Sequence, residues 1–172
     1  MAKIFTKTGD QGETSRLDGI RAPKNDPLIE VYGTIDECNS ILGIVRGFNT
    51  DPELEQTLKQ LQNMLLLPLP KFGNSNVQSL ETLIEKLEEK LPMLGNFILP
   101  AGGTVSAHLH FARTTARKVE RSLATLRETE AVNPAASAWF NRLSDALFVL
   151  ARAAAHQTGN GDETATLPAE IS

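Results

Sequence analysis

Residues 104–127, TVSAHLHFARTTARKVERSLATLR, decide the fold. Val105, Leu109, Ala112, Ala116, Val119 and Leu123 recur at three- and four-residue spacing, the stripe of an α-helix rather than the alternation of a strand. The rest of that helix carries Arg113, Arg117, Lys118, Glu120 and Arg121. Arg113, Arg117 and Arg121 are spaced i, i+4, i+8, so the three guanidiniums are expected on one face. Cations stacked in this way repel one another unless an anion or a carboxylate absorbs them, and the small Ala112 and Ala116 place them near a packing surface. The plain alternative is a solvated basic face.

Four more helices are expected around this one. Asp26-Pro27, Asp51-Pro52 and Asn133-Pro134 each read as a capping side chain followed by a first-turn proline. They open helices over about 27–48, 52–67 and 134–157, and Pro68 and Pro70 stop the second of these. Residues 77–91 form another, with Leu80, Leu83, Ile84, Leu87 and Leu91 on one face. No convincing strand is seen. Short connections between the five helices indicate an all-α, up-and-down bundle. Residues 1–158 read as a single domain, with 159–172 as a polar tail expected to be disordered. Trp139 and Phe140 are expected in the core, and His108 and His110 as structural or surface side chains.

Ahead of the bundle stands Thr6-Lys7-Thr8-Gly9-Asp10-Gln11-Gly12-Glu13-Thr14-Ser15-Arg16, followed by Arg21 and Lys24. Glycines free backbone N–H groups to surround an anion, hydroxyls donate to phosphate oxygens, and Lys and Arg add charge. Residues 1–25 are therefore read either as a phosphate-binding loop or as a solvated terminus. It is no Walker A loop, because the chain contains no G-x-x-x-x-G-K-[ST]. The first helix sets Asp36, Glu37, Asn39 and Ser40 beside Gly33 and Gly43. Mid-helix glycines cost about 1 kcal/mol each against alanine, and close approach of a helix or ligand is their usual explanation. The last helix places Asn141, Arg142, Ser144, Asp145 and Arg152 in an Ala- and Leu-rich setting, either as a network fixing register or as part of a ligand site.

The chain has 172 residues, 41% of them hydrophobic, and a net charge of −4, which argues against a general nucleic-acid or membrane-surface binder. Cys38 is its single cysteine, so no intramolecular disulfide or cysteine-based metal site is expected. No targeting segment or membrane span is read, and the cytoplasm is the expected compartment.

Five motifs, in order, carry a family resemblance. They are Thr6-Lys7-Thr8-Gly9-Asp10-x-Gly12; Tyr32-Gly33-x-x-Asp36-Glu37-x-Asn39; Phe97-Ile98-Leu99-Pro100; Ala112-Arg113-Thr114-x-x-Arg117-Lys118-x-Glu120-Arg121; and Asn141-Arg142-Leu143-Ser144-Asp145. Together they resemble the PduO-type ATP:cob(I)alamin adenosyltransferases. The resemblance implies a five-helix bundle with an N-terminal nucleotide-binding loop, assembled as a homotrimer with ATP at each subunit interface. The implied reaction is attack of Co(I) on C5′ of ATP, yielding adenosylcobalamin and triphosphate. ATP, Mg²⁺ carried with it, and cob(I)alamin are the implied ligands. A flavin-dependent or other reductase and a cobalamin-dependent enzyme are the implied partners.

By the same resemblance Thr6, Lys7, Thr8, Gly9, Thr14, Ser15 and Lys24 wrap the triphosphate. Arg117, Lys118, Glu120, Arg121 and Asn141 complete the ATP site, with Arg117 as the catalytic residue. Phe97 closes the lower axial face of the corrinoid, and Asp36 and Arg113 form a salt bridge between subunits. No protein ligand to a metal is assigned. The chain departs from the family pattern at Lys118, where a second arginine is usual, at Ala101, where a glycine is usual, and at the Pro68/Pro70 break. A non-catalytic ATP-binding bundle is the alternative on these residues, and the presence of both Arg117 and Asn141 favours catalysis over it.

Overall fold

Each of the three expected Asp/Asn–Pro caps opens a helix. In the computed structural model, which describes residue 5 and residues 7–166, Asp26 accepts from the Leu28 N–H at 2.9 Å, Asp51 from Leu54 at 2.9 Å and Asn133 from Ala135 at 3.0 Å. These bonds satisfy donors that a helix start leaves orphaned. They open α1 (Pro27–Phe48), α2 (Pro52–Leu65) and α5 (Pro134–Gln157), with α3 (Asn74–Glu88) and α4 (Thr104–Leu126) between them. α4 is the spine. It packs against α1 on one side and α5 on the other, while α3 lies on α5 and α2 on α1.

The stripe read from residues 104–127 is the seam of the core. Leu109, Ala112, Ala116 and Val119 have no exposed surface, and neither do Phe140, Leu143 and Leu147 of α5 or Val31, Leu42 and Val45 of α1. Trp139 and Phe140 are buried as expected. Ala112 and Ala116 let the flanking helices approach α4 closely, and non-directional burial of this apolar surface is the main force holding the bundle.

The Pro68/Pro70 break is a filled corner. α2 ends at Leu65, two residues before the expected stop, and a 3₁₀ turn (Leu69–Lys71) turns Leu69 and Phe72 inward. Phe72 packs on Trp139 at 5.0 Å and on Phe140 at 5.8 Å between ring centroids. The Asn133 side-chain amide donates to the Phe72 carbonyl at 2.9 Å and to that of Leu69 at 3.3 Å, so one residue caps α5 and holds the corner.

Three expectations are corrected. The N-terminal segment contains a two-stranded antiparallel ribbon, β1 (Glu13–Ser15) and β2 (Arg21–Pro23), with Thr14 opposite Ala22. Its strands are too short and polar to show alternation, and Asp18 closes the turn by accepting from the Ile20 N–H. α3 starts at Asn74, where the Asn76 side chain accepts from the Gly73 N–H, and ends at Glu88 instead of Leu91, because the residue before Pro92 is steered away from helix. Residues 159–166, expected to be disordered, fold back on the bundle. The Leu99 N–H donates to the Glu163 carbonyl at 2.7 Å and the Ala165 N–H to the Phe97 carbonyl at 2.8 Å. Residues 167–172 lie outside the described residues.

Candidate functional site

The basic run of α4 divides between two flanks, which corrects the single face expected for Arg113, Arg117 and Arg121. Each i+4 step advances about 40° beyond a full turn, so two steps carry Arg121 well round the helix. Arg113 and Arg117 line an open groove of about 470 Å³ between α3, α4 and α5, facing Glu81, Glu85 and Glu88 of α3. Lys118 and Arg121 line a depression on the α1 side, with Asp36, Glu37 and Ser40.

Lys118 and the two groove arginines differ in pairing. Lys118 Nζ sits 3.0 Å from Glu37 and 3.9 Å from Glu30. Among the described residues no carboxylate comes within ion-pairing distance of Arg113 or Arg117. Arg113 Nε is buried with no hydrogen-bond partner, and burial together with the like charge of Arg117 pulls the Arg113 guanidinium below its ordinary pKa. An arginine remains charged even so, which leaves an uncompensated cation in a half-buried place. Asp36 is exposed and lines the opposite depression, away from Arg113.

Asn141 and Glu120 meet across the α4–α5 seam, the amide Nδ2 donating to the carboxylate Oε2 at 3.1 Å. Asn141 Oδ1 in turn accepts from Arg142 Nη1 at 2.8 Å, and Arg142 is held by Glu81 at 3.0 Å. Glu120 Oε1 is buried with no donor, an acceptor that fits a hydroxyl or a metal-bound water. Among the described residues no three His, Cys, Asp or Glu side chains converge as a metal site. His110 is buried, its Nδ1 lacks a partner, and burial keeps its pKa below the usual value, with Arg113 adding to the effect. His108 is half-buried, bonded to the Thr104 carbonyl and stacked on Phe48.

In the N-terminal loop, Thr14 and Ser15 lie on β1 and Lys24 follows β2. Lys7 adopts a left-handed φ of 61°, uncommon for a side chain of its length. A Cβ on Gly9 would come within 3.3 Å of the Glu13 carbonyl and in ordinary contact with the Lys24 side chain, so the Glu13 backbone is what a side chain there would press on. The Arg21 guanidinium donates to the Thr8 carbonyl at 2.7 Å. Thr6 lies outside the described residues. The loop's exit, Asn25 to Glu30, borders the α4 flank that holds Lys118 and Arg121. Lys118 and Arg121 therefore lie on one flank beside the exit of the loop, with Arg113, Arg117 and Arg142 on the other. Phe97 lies in neither group. It is 78% exposed and lines a separate depression with Leu94, Asn96 and residues 164–166.

Two anchoring contacts escaped the sequence reading. Arg16 forms a two-pronged bridge to Glu130 in the α4–α5 connection, at 2.7 and 2.8 Å. Arg152 does the same with Asp162. In each case the partner stands in a polar segment with no pattern to mark it.

The sequence matches the family described as cobalamin adenosyltransferase over residues 4–154. It is 36% identical over 166 residues to the corrinoid adenosyltransferase of Citrobacter freundii, covering 88% of this chain and 94% of that one. It is likewise 36% identical over 180 residues to the human corrinoid adenosyltransferase MMAB, covering 94% of this chain and 72% of the relative. The fold superposes with a TM-score of 0.88 and 30% identity on a variant PduO-type ATP:corrinoid adenosyltransferase from Lactobacillus reuteri complexed with cobalamin and ATP, covering 96% of this chain and 100% of that one.

Proposed function

The chain belongs to the cobalamin adenosyltransferase family, and on that premise we propose that it transfers the 5′-deoxyadenosyl group of ATP to cob(I)alamin. The Co(I) electron pair forms the new bond to C5′, the C5′–O bond breaks, and triphosphate leaves with that bond's electrons. The nucleophile is the substrate itself, so the protein's task is to align C5′ with cobalt and to stabilise charge on the departing triphosphate.

The observation that carries the site assignment is the contrast in pairing along α4. Lys118 is engaged by Glu37, whereas Arg113 and Arg117 stand without a counter-ion in an open groove. Arg117 is assigned to the triphosphate. Thr6, Lys7, Thr8, Gly9, Thr14, Ser15 and Lys24 are assigned to the loop that wraps it, with Lys118 and Arg121 on that flank and Glu120 and Asn141 at the nucleoside. Mg²⁺ would travel with the triphosphate and neutralise part of its charge, with Glu120 Oε1 the buried acceptor nearest to hand for its water shell. Phe97 is assigned to the lower corrinoid face.

The division of these residues between two flanks of α4 supports a site completed by a neighbouring subunit. Among the described residues, Gly33 on α1 meets nothing within 4 Å of a Cβ position, so none of them accounts for its smallness. Gly43, by contrast, faces the Gln62 side chain at 3.7 Å. We assign Asp36 and Arg113 to an intersubunit bridge in a homotrimer. Asp36→Arg and Arg113→Asp should each reduce assembly, and the double exchange should restore it in sedimentation; a monomeric wild-type chain at micromolar concentration would overturn the assignment. No helix of the described residues is long and apolar enough to cross a membrane. A cytoplasmic location, with a flavin-dependent or other reductase as electron source and a cobalamin-dependent enzyme as recipient, completes the proposal.

The deciding experiment is an anaerobic assay with chemically reduced cobalamin and MgATP on wild type and Arg117→Lys. The lysine keeps the charge but loses the planar fork. Turnover should fall on the order of 10²-fold while ATP affinity changes much less, because the donor acts where charge develops. Near-normal turnover would falsify the catalytic role of Arg117. Wild-type protein that binds ATP without forming adenosylcobalamin would favour the non-catalytic bundle.

A further inference from the structure

Arg152 is the most deeply buried charged side chain of α5, 5% exposed, and the chemistry above makes no use of it. Its guanidinium joins three parts of the chain. Nε and Nη2 reach the Asp162 carboxylate at 3.1 and 2.8 Å, and Nη2 also donates to the Pro92 carbonyl at 2.7 Å. Asp162 is nearly as buried, with 12% of its side chain exposed, and His156 Nε2 lies 3.0 Å from the same carboxylate.

The residues between them are built for this return. α5 ends at Gln157, and Gly159 and Gly161 take left-handed φ values of 78° and 65°, the reversal that glycine allows after a helix. The N–H groups of Asn160 and Gly161 both donate to the Ala155 carbonyl. Asp162 is thereby brought back beside Arg152, one helical face below.

The strap then runs along the segment that holds Phe97. Ile98 and Thr164 pair antiparallel, flanked by the Leu99–Glu163 and Ala165–Phe97 backbone bonds. Pro92 lies earlier in the connection that leads to Ile98, so Arg152 is bonded to both of the chain segments that go on to pair. A buried ion pair adds little net stability over a packed apolar pair, but its two-pronged geometry accepts one register only. That makes the fork a device for placement. Phe97 is 78% exposed, so little of its side chain is held by packing, and its carbonyl is bonded into this pairing.

We propose that Arg152 and Asp162 are positioning residues that lock the strap of residues 159–166 against residues 97–99 and so fix Phe97 for the corrinoid. This rests on the assignment of Phe97 to the corrinoid's lower face. The strap becomes a wall of the corrinoid site, and the fork acts on cobalt through Phe97 without touching substrate.

The test uses the full chain and four proteins: wild type, Asp162→Asn, Ala165→Pro and Phe97→Ala. Asp162→Asn removes the charge from the fork. Ala165→Pro leaves the fork residues in place and removes the N–H that donates to Phe97. Cob(II)alamin is added with ATP and the axial-nitrogen splitting of the cobalt electron paramagnetic resonance signal is recorded; a one-electron chemical reductant is then added to form Co(I), and turnover is measured with the corrinoid and ATP Michaelis constants. Both strap variants should retain more axial-nitrogen splitting than wild type. They should lose turnover from cob(II)alamin on the order of ten- to hundredfold, with the ATP constant within about twofold. Wild-type splitting and corrinoid constants in both strap variants, with Phe97→Ala altered, would overturn the proposal alone. An unaltered Phe97→Ala would overturn the reading of Phe97 on which it rests.

Discussion

The N-terminal loop and the C-terminal strap are both non-helical, and each is clasped to the bundle by one arginine–carboxylate fork in opposite surroundings. Arg16 and Glu130 meet where 15% and 37% of their side chains stay exposed. Arg152 and Asp162 meet at 6% and 12%. Water competes for the first pair and salt screens it, so it can open and close at little cost. The second pair has no such substitute solvent, and losing one partner strands a charge. The difference fits their tasks as we assign them. A loop that admits ATP and releases triphosphate must move, whereas a strap that places Phe97 must stay.

Removing residues up to Gly12 should have the largest effect. The loop packs against little of the core, so helical content and unfolding should stay near wild type while ATP binding disappears. Calorimetry on the truncated chain checks both. Retained ATP affinity would refute the assignment of the loop, and loss of the folded bundle would show the residues up to Gly12 to be structural rather than dispensable.

Next in size is the stability cost of the buried fork. Asp162→Asn should destabilise the chain by roughly 3 kcal/mol, or about 6–12 °C in midpoint for a protein of this length. Thermal unfolding measures it, and a shift of a degree or two would erase the contrast between the forks.

A pH profile sharpens the same point. The Arg152 guanidinium, followed by the His156 bond, holds the Asp162 carboxyl below the usual carboxylate range. A depressed acid contributes stability that is complete above its unfolded value near ~4 and is lost as pH falls through the folded value. Wild type should therefore lose stability more steeply than Asp162→Asn below pH ~4, and parallel profiles would contradict it. His110 adds an earlier step. Burial depresses it, so the neutral ring is favoured in the fold, and stability should begin to fall as pH drops below ~6.5.

What the sequence disclosed and what it hid divide along the same line. The caps Asp26, Asp51 and Asn133 and the stripe through Ala112 and Ala116 obey local rules with a helical period, so five helices and the core were readable. Arg152 stood out as a charge among alanines and leucines. Its partner did not, because Asp162 lies ten residues on, past two glycines, in a segment of ordinary polar composition. The fork exists only once α5 has ended and the chain has reversed. Arg121 was misplaced for a geometric reason, since a 40° drift per i+4 step is small between neighbours and large over two. Gly33 was flagged for its smallness, and no contact among the described residues accounts for it.

The smallest effect expected is in the more exposed of the two forks. Glu130→Gln keeps the shape of the side chain and removes its charge, so Arg16 loses its two-pronged partner while Asp18 remains 3.4 Å away and Asp26 3.8 Å. Those carboxylates and water can take up much of the guanidinium's demand, so the unfolding midpoint should shift by no more than about 2 °C. The consequence should appear in nucleotide binding instead. A loop that spends more time open presents its binding state less often, and apparent ATP affinity falls by that fraction. The Michaelis constant for ATP should rise a few-fold at low salt with turnover nearly unchanged. Salt should narrow the gap between variant and wild type, because screening weakens the bridge that only the wild type has. Equal ATP constants at low salt would mean that the clasp does not govern the loop, and a large loss of stability would mean that the two forks are alike after all.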